Sequence, residues 1–85
     1  MNTFEQFVAH IRQRTKIDEA ISLSAATGIF TDLAFDSLQA FRLVLIVENL
    51  AELEVPPAEV PVLLTLGDTY EYYRYCCTAA SALQI

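Results

Sequence analysis

Residues 36–52 read Asp36-Ser37-Leu38-Gln39-Ala40-Phe41-Arg42-Leu43-Val44-Leu45-Ile46-Val47-Glu48-Asn49-Leu50-Ala51-Glu52, a run without Gly or Pro. Asp36 or Ser37 can cap its start, and Pro56-Pro57 prevents continuation, so the run predicts a helix from Ser37 to about Glu52. Successive side chains stand roughly 100° apart around a helix, which puts Ala40, Leu43, Val44, Val47, Leu50 and Ala51 on one face, the core side. Leu38, Arg42, Leu45, Asn49 and Glu52 share the opposite face. A face turned only to water has no need of Leu38 and Leu45. Leu38, Arg42, Leu45 and Asn49 are therefore candidates for contact with another protein. Scattered surface leucines are the plainer alternative.

Upstream, Thr3 to about Arg14 predicts a first helix, with Phe4, Phe7, Val8 and Ile11 in one apolar stripe and Thr3 and Gln6 at capping-box spacing. His10 lies off the stripe and is expected to face solvent. Residues 15–36 make a connection too long to be a bare link. Ile17, Ile21, Leu23, Ile29, Phe30, Leu33 and Phe35 are expected to pack it on the helices, with a helical turn near Ser24 to Thr27 ended by Gly28. Downstream, residues 57–63 predict a short helix: Pro57 suits its first position and Pro61 limits it to about one turn. Thr65 and Asp68 cap a last helix from about Leu66. Leu66, Tyr70, Tyr73 and Cys77 are expected to face the core, flanked by Tyr72, Tyr75 and Cys76. The fold class that follows is all-α: a small four-helix bundle, three main helices plus one short one, with a long structured first loop. Residues 1–77 form the single domain, and 78–85 are a C-terminal tail that frays or extends the last helix.

A chain of 85 residues has room for one domain and not two. At 54% hydrophobic it is too apolar to be disordered. Eleven Asp and Glu against five Lys and Arg give a net charge of −6, which disfavours nucleic acid and suits a positively charged partner surface. The longest apolar run, Leu43 to Val47, is too short to span a bilayer, and Met1-Asn2-Thr3-Phe4-Glu5 lacks the basic start of a secretion signal. A cytoplasmic monomer without membrane insertion is expected. Cys76 and Cys77 are adjacent and read as two small hydrophobes rather than a disulfide. One His, no glycine-rich phosphate loop and no metal-ligand spacing leave nothing for catalysis or a metal, so the chain is not expected to be an enzyme.

The segment Asp32-Leu33-Ala34-Phe35-Asp36-Ser37-Leu38 sets Ser37 where the helix begins. A phosphate ester on that hydroxyl would lie at the positive end of the helix, near free backbone amides. Asp36 could position the hydroxyl or a divalent metal while the ester formed. Taken by themselves, these two residues more often make an ordinary helix cap. Together with the hydrophobic helix to Glu48, then Val55-Pro56, Thr65-Leu66-Gly67-Asp68 and the tyrosine-rich helix, the segment resembles the acyl carrier protein family, from the first helix to about Tyr75.

The resemblance implies a four-helix carrier with 4'-phosphopantetheine as a covalent cofactor on Ser37. A phosphopantetheinyl transferase would attach it from coenzyme A with a divalent metal. The arm's thiol would carry acyl groups as thioesters to acyl-transferring, ketosynthase-type or ligase enzymes. Leu38, Arg42, Leu45 and Asn49 would face these partners, and Leu43, Val47, Val60, Leu64 and Tyr70 are candidates to shelter the acyl chain. Arg42 and Asn49 stand where carriers of fatty acid biosynthesis usually hold acids, Ala34 replaces a frequent glycine, and Pro61 is unusual for the third helix. These departures point to a dedicated carrier in polyketide or other natural-product synthesis. Two alternatives stand beside it: an unmodified, carrier-like adaptor that binds partners through its second helix, and an aminoacyl or peptidyl carrier.

Overall fold

The computed structural model describes residues 3–18 and 20–83. Among these residues the chain is all-helical: α1 (Phe4–Thr15), α2 (Ser37–Ala51) and α3 (Leu66–Leu83), with a 3-10 turn at Pro57–Glu59. That turn is all that forms of the short helix expected over 57–63. Pro61 lacks an N–H to donate and disfavours helical backbone at Val60, so the turn cannot propagate.

Each helix starts on a cap written in the sequence. Thr3 Oγ1 accepts from the Gln6 amide at 3.2 Å. Asp36 Oδ1 accepts from the Gln39 amide at 2.8 Å while Gln39 Oε1 accepts from the Asp36 amide at 3.0 Å, closing a capping box. At α3, Thr65 Oγ1 accepts from the Asp68 amide at 3.0 Å, and Asp68 Oδ2 accepts from the Leu64 and Thr65 amides at 3.1 and 3.2 Å. Lys16 and Glu52, at φ 57° and 55°, end α1 and α2 in the left-handed region.

The core is built from one stripe of each helix. α1 buries Phe7, Val8 and Ile11, and α2 buries Leu43, Val47 and Ala51, on the faces their spacing predicts. α2 also buries Glu48, which the spacing alone would leave at the margin. The stripe of α3 is rotated from the expected one. Leu66, Thr69, Tyr72, Tyr73, Cys76 and Ala80 are buried, while Tyr70 and Cys77 are half-buried and Tyr75 is exposed. Two polar groups make that rotation tolerable by finding partners inside: Thr69 Oγ1 donates to Thr65 O at 3.0 Å, and the Tyr72 hydroxyl donates to Glu48. α3 continues through residues 78–83, so the expected tail is helix as far as Leu83, and Gln84 and Ile85 lie outside the described residues. His10 is half-buried rather than turned to solvent, and its Nε2 has no hydrogen-bond partner. Burial and then the Arg14 charge lower its pKa from the usual value.

The long first connection is stitched to the start of α3. Ile29 N donates to Leu64 O at 2.9 Å, Leu66 N to Thr27 O at 3.0 Å and Gly67 N to Ala25 O at 2.9 Å. Gly67 is required there, because a Cβ on it would lie 2.8 Å from the Ala25 carbonyl oxygen. Ile29 is buried, and Ile17 and Phe35 pack against the core. Ile21 and Phe30 instead remain exposed at 41% and 44%. The turn before α2 closes on Asp32, whose Oδ2 accepts from the Gly28 amide at 2.6 Å.

Ala34, two residues before the α2 cap, sits at φ 54°. A Cβ is disfavoured in that region, and glycine is not. Ala34→Gly is expected to stabilise the fold by about 0.5–1 kcal/mol despite glycine's freer unfolded chain. Urea unfolding of the two proteins checks this; a destabilised variant would mean that the Ala34 methyl group contributes more than its backbone strain costs.

Candidate functional site

The start of α2 is where the sequence and the packing converge. Ser37 is the first residue of a 15-residue helix, and its side chain is exposed. Its neighbour Asp36 is committed to the capping box through Oδ1, which fixes the direction in which the helix leaves the loop. With the amide of Gln39 occupied by that cap, the remaining amides of the first turn still present the positive end of the helix beside the Ser37 hydroxyl.

Ser37 lies on the rim of a small apolar cleft of about 290 Å³. Three elements meet there: Ala40, Phe41, Leu43 and Val44 from α2, Ile29 and Phe30 from the first connection, and Pro61 to Leu63 from the segment after the 3-10 turn. The pairing of Ile29 N with Leu64 O holds the last two elements together, so the cleft follows from the same stitching that orders the long loop.

The sequence-predicted residues fall into separate places. Leu38, Arg42, Leu45 and Asn49 are all exposed, with Leu38 and Leu45 at 58% and 47%. Phe41, at 53%, joins that surface and was not distinguished by the helical wheel. Its signal is its spacing, three after Leu38 and four before Leu45. Of the five residues considered for an acyl shelter, Leu43 lines the cleft beside Ser37. Val47 is fully buried in the core, and Val60 lines a second groove along α2. Leu64 is 57% exposed, because its backbone rather than its side chain is used, in the bond to Ile29. Tyr70 is on the α1 side of α3, with its ring centroid 5.6 Å from that of Phe4 and 5.3 Å from that of Phe7. The structure therefore does not gather these five around one pocket.

A second polar feature lies inside the bundle. Glu48 is 8% exposed, and its Oε2 accepts from the Tyr72 hydroxyl at 2.9 Å, joining α2 to α3. Burial first, then the hydrogen bonds with Glu48 and Cys76, push the Tyr72 pKa above its ordinary value of 10.0. Tyr73 is pushed up to about 12, chiefly by its hydrogen bond with Cys77 and then by burial. A tyrosine pKa raised in the folded state supports stability that is fully present below about pH 10 and fades as the pH rises above that. Tyr72→Phe is expected to lose about 1–3 kcal/mol at neutral pH, because Glu48 loses its donor. Its stability should then fall less steeply than that of the native protein above pH 10, since one raised tyrosine is gone. Urea unfolding at a series of pH values checks both signs, and an unchanged alkaline slope would remove Tyr72 as its source.

Among the described residues no group of His, Cys, Asp or Glu could hold a metal ion, and no helix is long and apolar enough to cross a membrane. No family model, no curated protein and no solved structure matches the chain.

Proposed function

We propose that the chain is an acyl carrier protein whose Ser37 takes a 4'-phosphopantetheine arm. The observation that carries this reading is an exposed serine hydroxyl at the first position of a 15-residue helix, next to an apolar cleft of about 290 Å³. The residues present fit the group. The helix terminus favours the negative phosphodiester, and the exposed hydroxyl leaves room for a transferase to reach it. On transfer from coenzyme A, the Ser37 Oγ–P bond forms and the pyrophosphate P–O bond breaks. The nucleotide half leaves as adenosine 3',5'-bisphosphate, and the serine proton passes to a base of the transferase. Once attached, the arm supplies a thiol that holds an acyl group as a thioester.

The chain's own part is to present and to orient. Leu38, Phe41, Arg42 and Leu45 on α2 offer partner enzymes an apolar face with one cation, next to the attachment point. From Ser37 to Val47 that helix carries no acid, although the chain's net charge is −6. Charge at a rim chiefly sets association rate and partner choice. This face therefore suits partners other than those that read an acidic helix, which favours a dedicated pathway such as polyketide or other natural-product synthesis. The cleft lined by Leu43 supports partial shelter of a short acyl chain.

The test is the intact mass of the purified protein before and after incubation with coenzyme A, magnesium and a broad-specificity phosphopantetheinyl transferase. A gain of one phosphopantetheinyl group is expected. No gain with several transferases, from a folded protein not already modified, would favour the adaptor that uses the same α2 face without an arm.

A further inference from the structure

The groove on the far side of Phe41 and Val44 from Ser37 has a chemistry of its own. It encloses about 650 Å³ between α2 and residues 54–60, and its walls include Phe41, Val44, Val55, Pro56 and Val60. Glu48 and Glu54 are the charged residues that line it. Glu54 is exposed, whereas Glu48 is 8% exposed. An isolated buried carboxylate is costly unless it is paired or well hydrogen-bonded. Glu48 has one neutral donor, Tyr72, on Oε2, and no cation pairs with it among the described residues. A neighbouring hollow of about 510 Å³ is lined by Glu48 again, with Glu52 and Glu54, so the negative potential extends past the end of the groove.

We propose that this groove is a binding site for an aliphatic amine, its hydrocarbon chain lying along Phe41, Val44, Val55 and Val60 and its ammonium group donating to Glu48. The walls supply apolar contact, and a few placed polar groups set orientation, as in small-molecule sites generally. The ammonium supplies the positive donor that the buried carboxylate lacks, while the Tyr72 hydroxyl keeps the carboxylate oriented. A fatty carboxylate of the same length is disfavoured at the same place by Glu48 and Glu54. The proposal does not depend on Ser37 being modified, so its failure and the failure of the carrier reading are separate results.

The test uses unmodified native protein with octylamine, octanol and octanoate, each below its aggregation concentration, followed by calorimetry and by amide chemical shifts. Octylamine is expected to bind about ten-fold or more tighter than octanol, as a charge-assisted hydrogen bond in a shielded site provides, with shifts centred on α2 and residues 53–60. Glu48→Gln, which still accepts from Tyr72, should reduce that preference to near unity. Glu5→Gln removes one charge from α1 and should leave it intact, which separates the site from attraction by net charge. Phe41→Ala should weaken octylamine and octanol alike and keeps the proposal testable if Glu48→Gln does not fold. Equal binding of amine and alcohol by native protein, a preference that survives Glu48→Gln, or shifts on another face would each overturn it.

Discussion

Ser37→Ala is expected to take up no phosphopantetheinyl group under conditions that convert the native protein fully, with its unfolding free energy within about 0.5 kcal/mol of native. Thr3 and Thr65 are occupied as helix caps. Thr15, Thr69 and Thr78 donate to the carbonyls of Ile11, Thr65 and Arg74. Ser24 and Thr27 are bonded to each other, and Thr27 is buried. Ser22, Thr31 and Ser81 are exposed, but none of them opens a helix. Among the described Ser and Thr residues, Ser37 combines exposure with a helix N-terminus and an adjoining apolar cleft. Its removal leaves the Asp36–Gln39 capping box in place, so the fold has no reason to suffer. Uptake by the variant would move the attachment elsewhere, and a large loss of stability would give Ser37 a structural role instead.

The same variant separates a carrier from an adaptor. A carrier without its hydroxyl delivers nothing, whereas an adaptor that binds through Leu38, Phe41 and Leu45 loses little. Large apolar side chains exposed together beside Ser37 serve either reading, so the α2 face cannot decide between them. The hydroxyl can.

What was legible in the sequence follows the kind of force involved. Caps are local: Thr3 and Thr65 were readable because each is followed three residues later by the group that completes it, whereas at α2 the sequence offered Asp36 or Ser37 and the Gln39 partner decides for Asp36. The burial of α2 was readable because its apolar spacing is regular. The α3 stripe was not, because four tyrosines within residues 70–75 carry little contrast and the deciding partners are distant. Tyr72 turns inward to reach Glu48, 24 residues earlier, and neither residue announces the other. The stitching of residues 25–29 to 64–67 is likewise a backbone matter, visible in the sequence only as two glycines. The cleft beside Ser37 depends on that stitching, so the helix start at Ser37 could be placed from sequence while the residues lining the cleft beside it could only partly be named.

Phe7→Ala is expected to cost about 3–5 kcal/mol of unfolding free energy, the range for removing a fully buried phenyl ring. Phe7 is 0% exposed, and its ring centroid lies 5.3 Å from that of Tyr70 and 5.2 Å from that of Tyr73. α1 carries few other large anchors: Ile11 is fully buried, Val8 nearly so, and Phe4 half-buried against Tyr70. A domain of this size has a total stability of roughly 4–13 kcal/mol, so the loss is a large share of it. The Phe7 ring, together with the edge contact of Phe4 on Tyr70, ties α1 to α3, and α3 in turn holds the 25–29 segment that borders the cleft at Ser37. Loss of α1 docking should therefore raise amide exchange at Ile29 and Leu66 as well as along α1. Phe41→Ala, on a ring 53% exposed, should cost only about 1 kcal/mol and serves as the half-exposed control. Urea unfolding with hydrogen exchange separates the outcomes. A cost under about 1 kcal/mol, the usual size for a surface change, would mean that α1 is held by its caps and Ile11 rather than by the Phe7 ring.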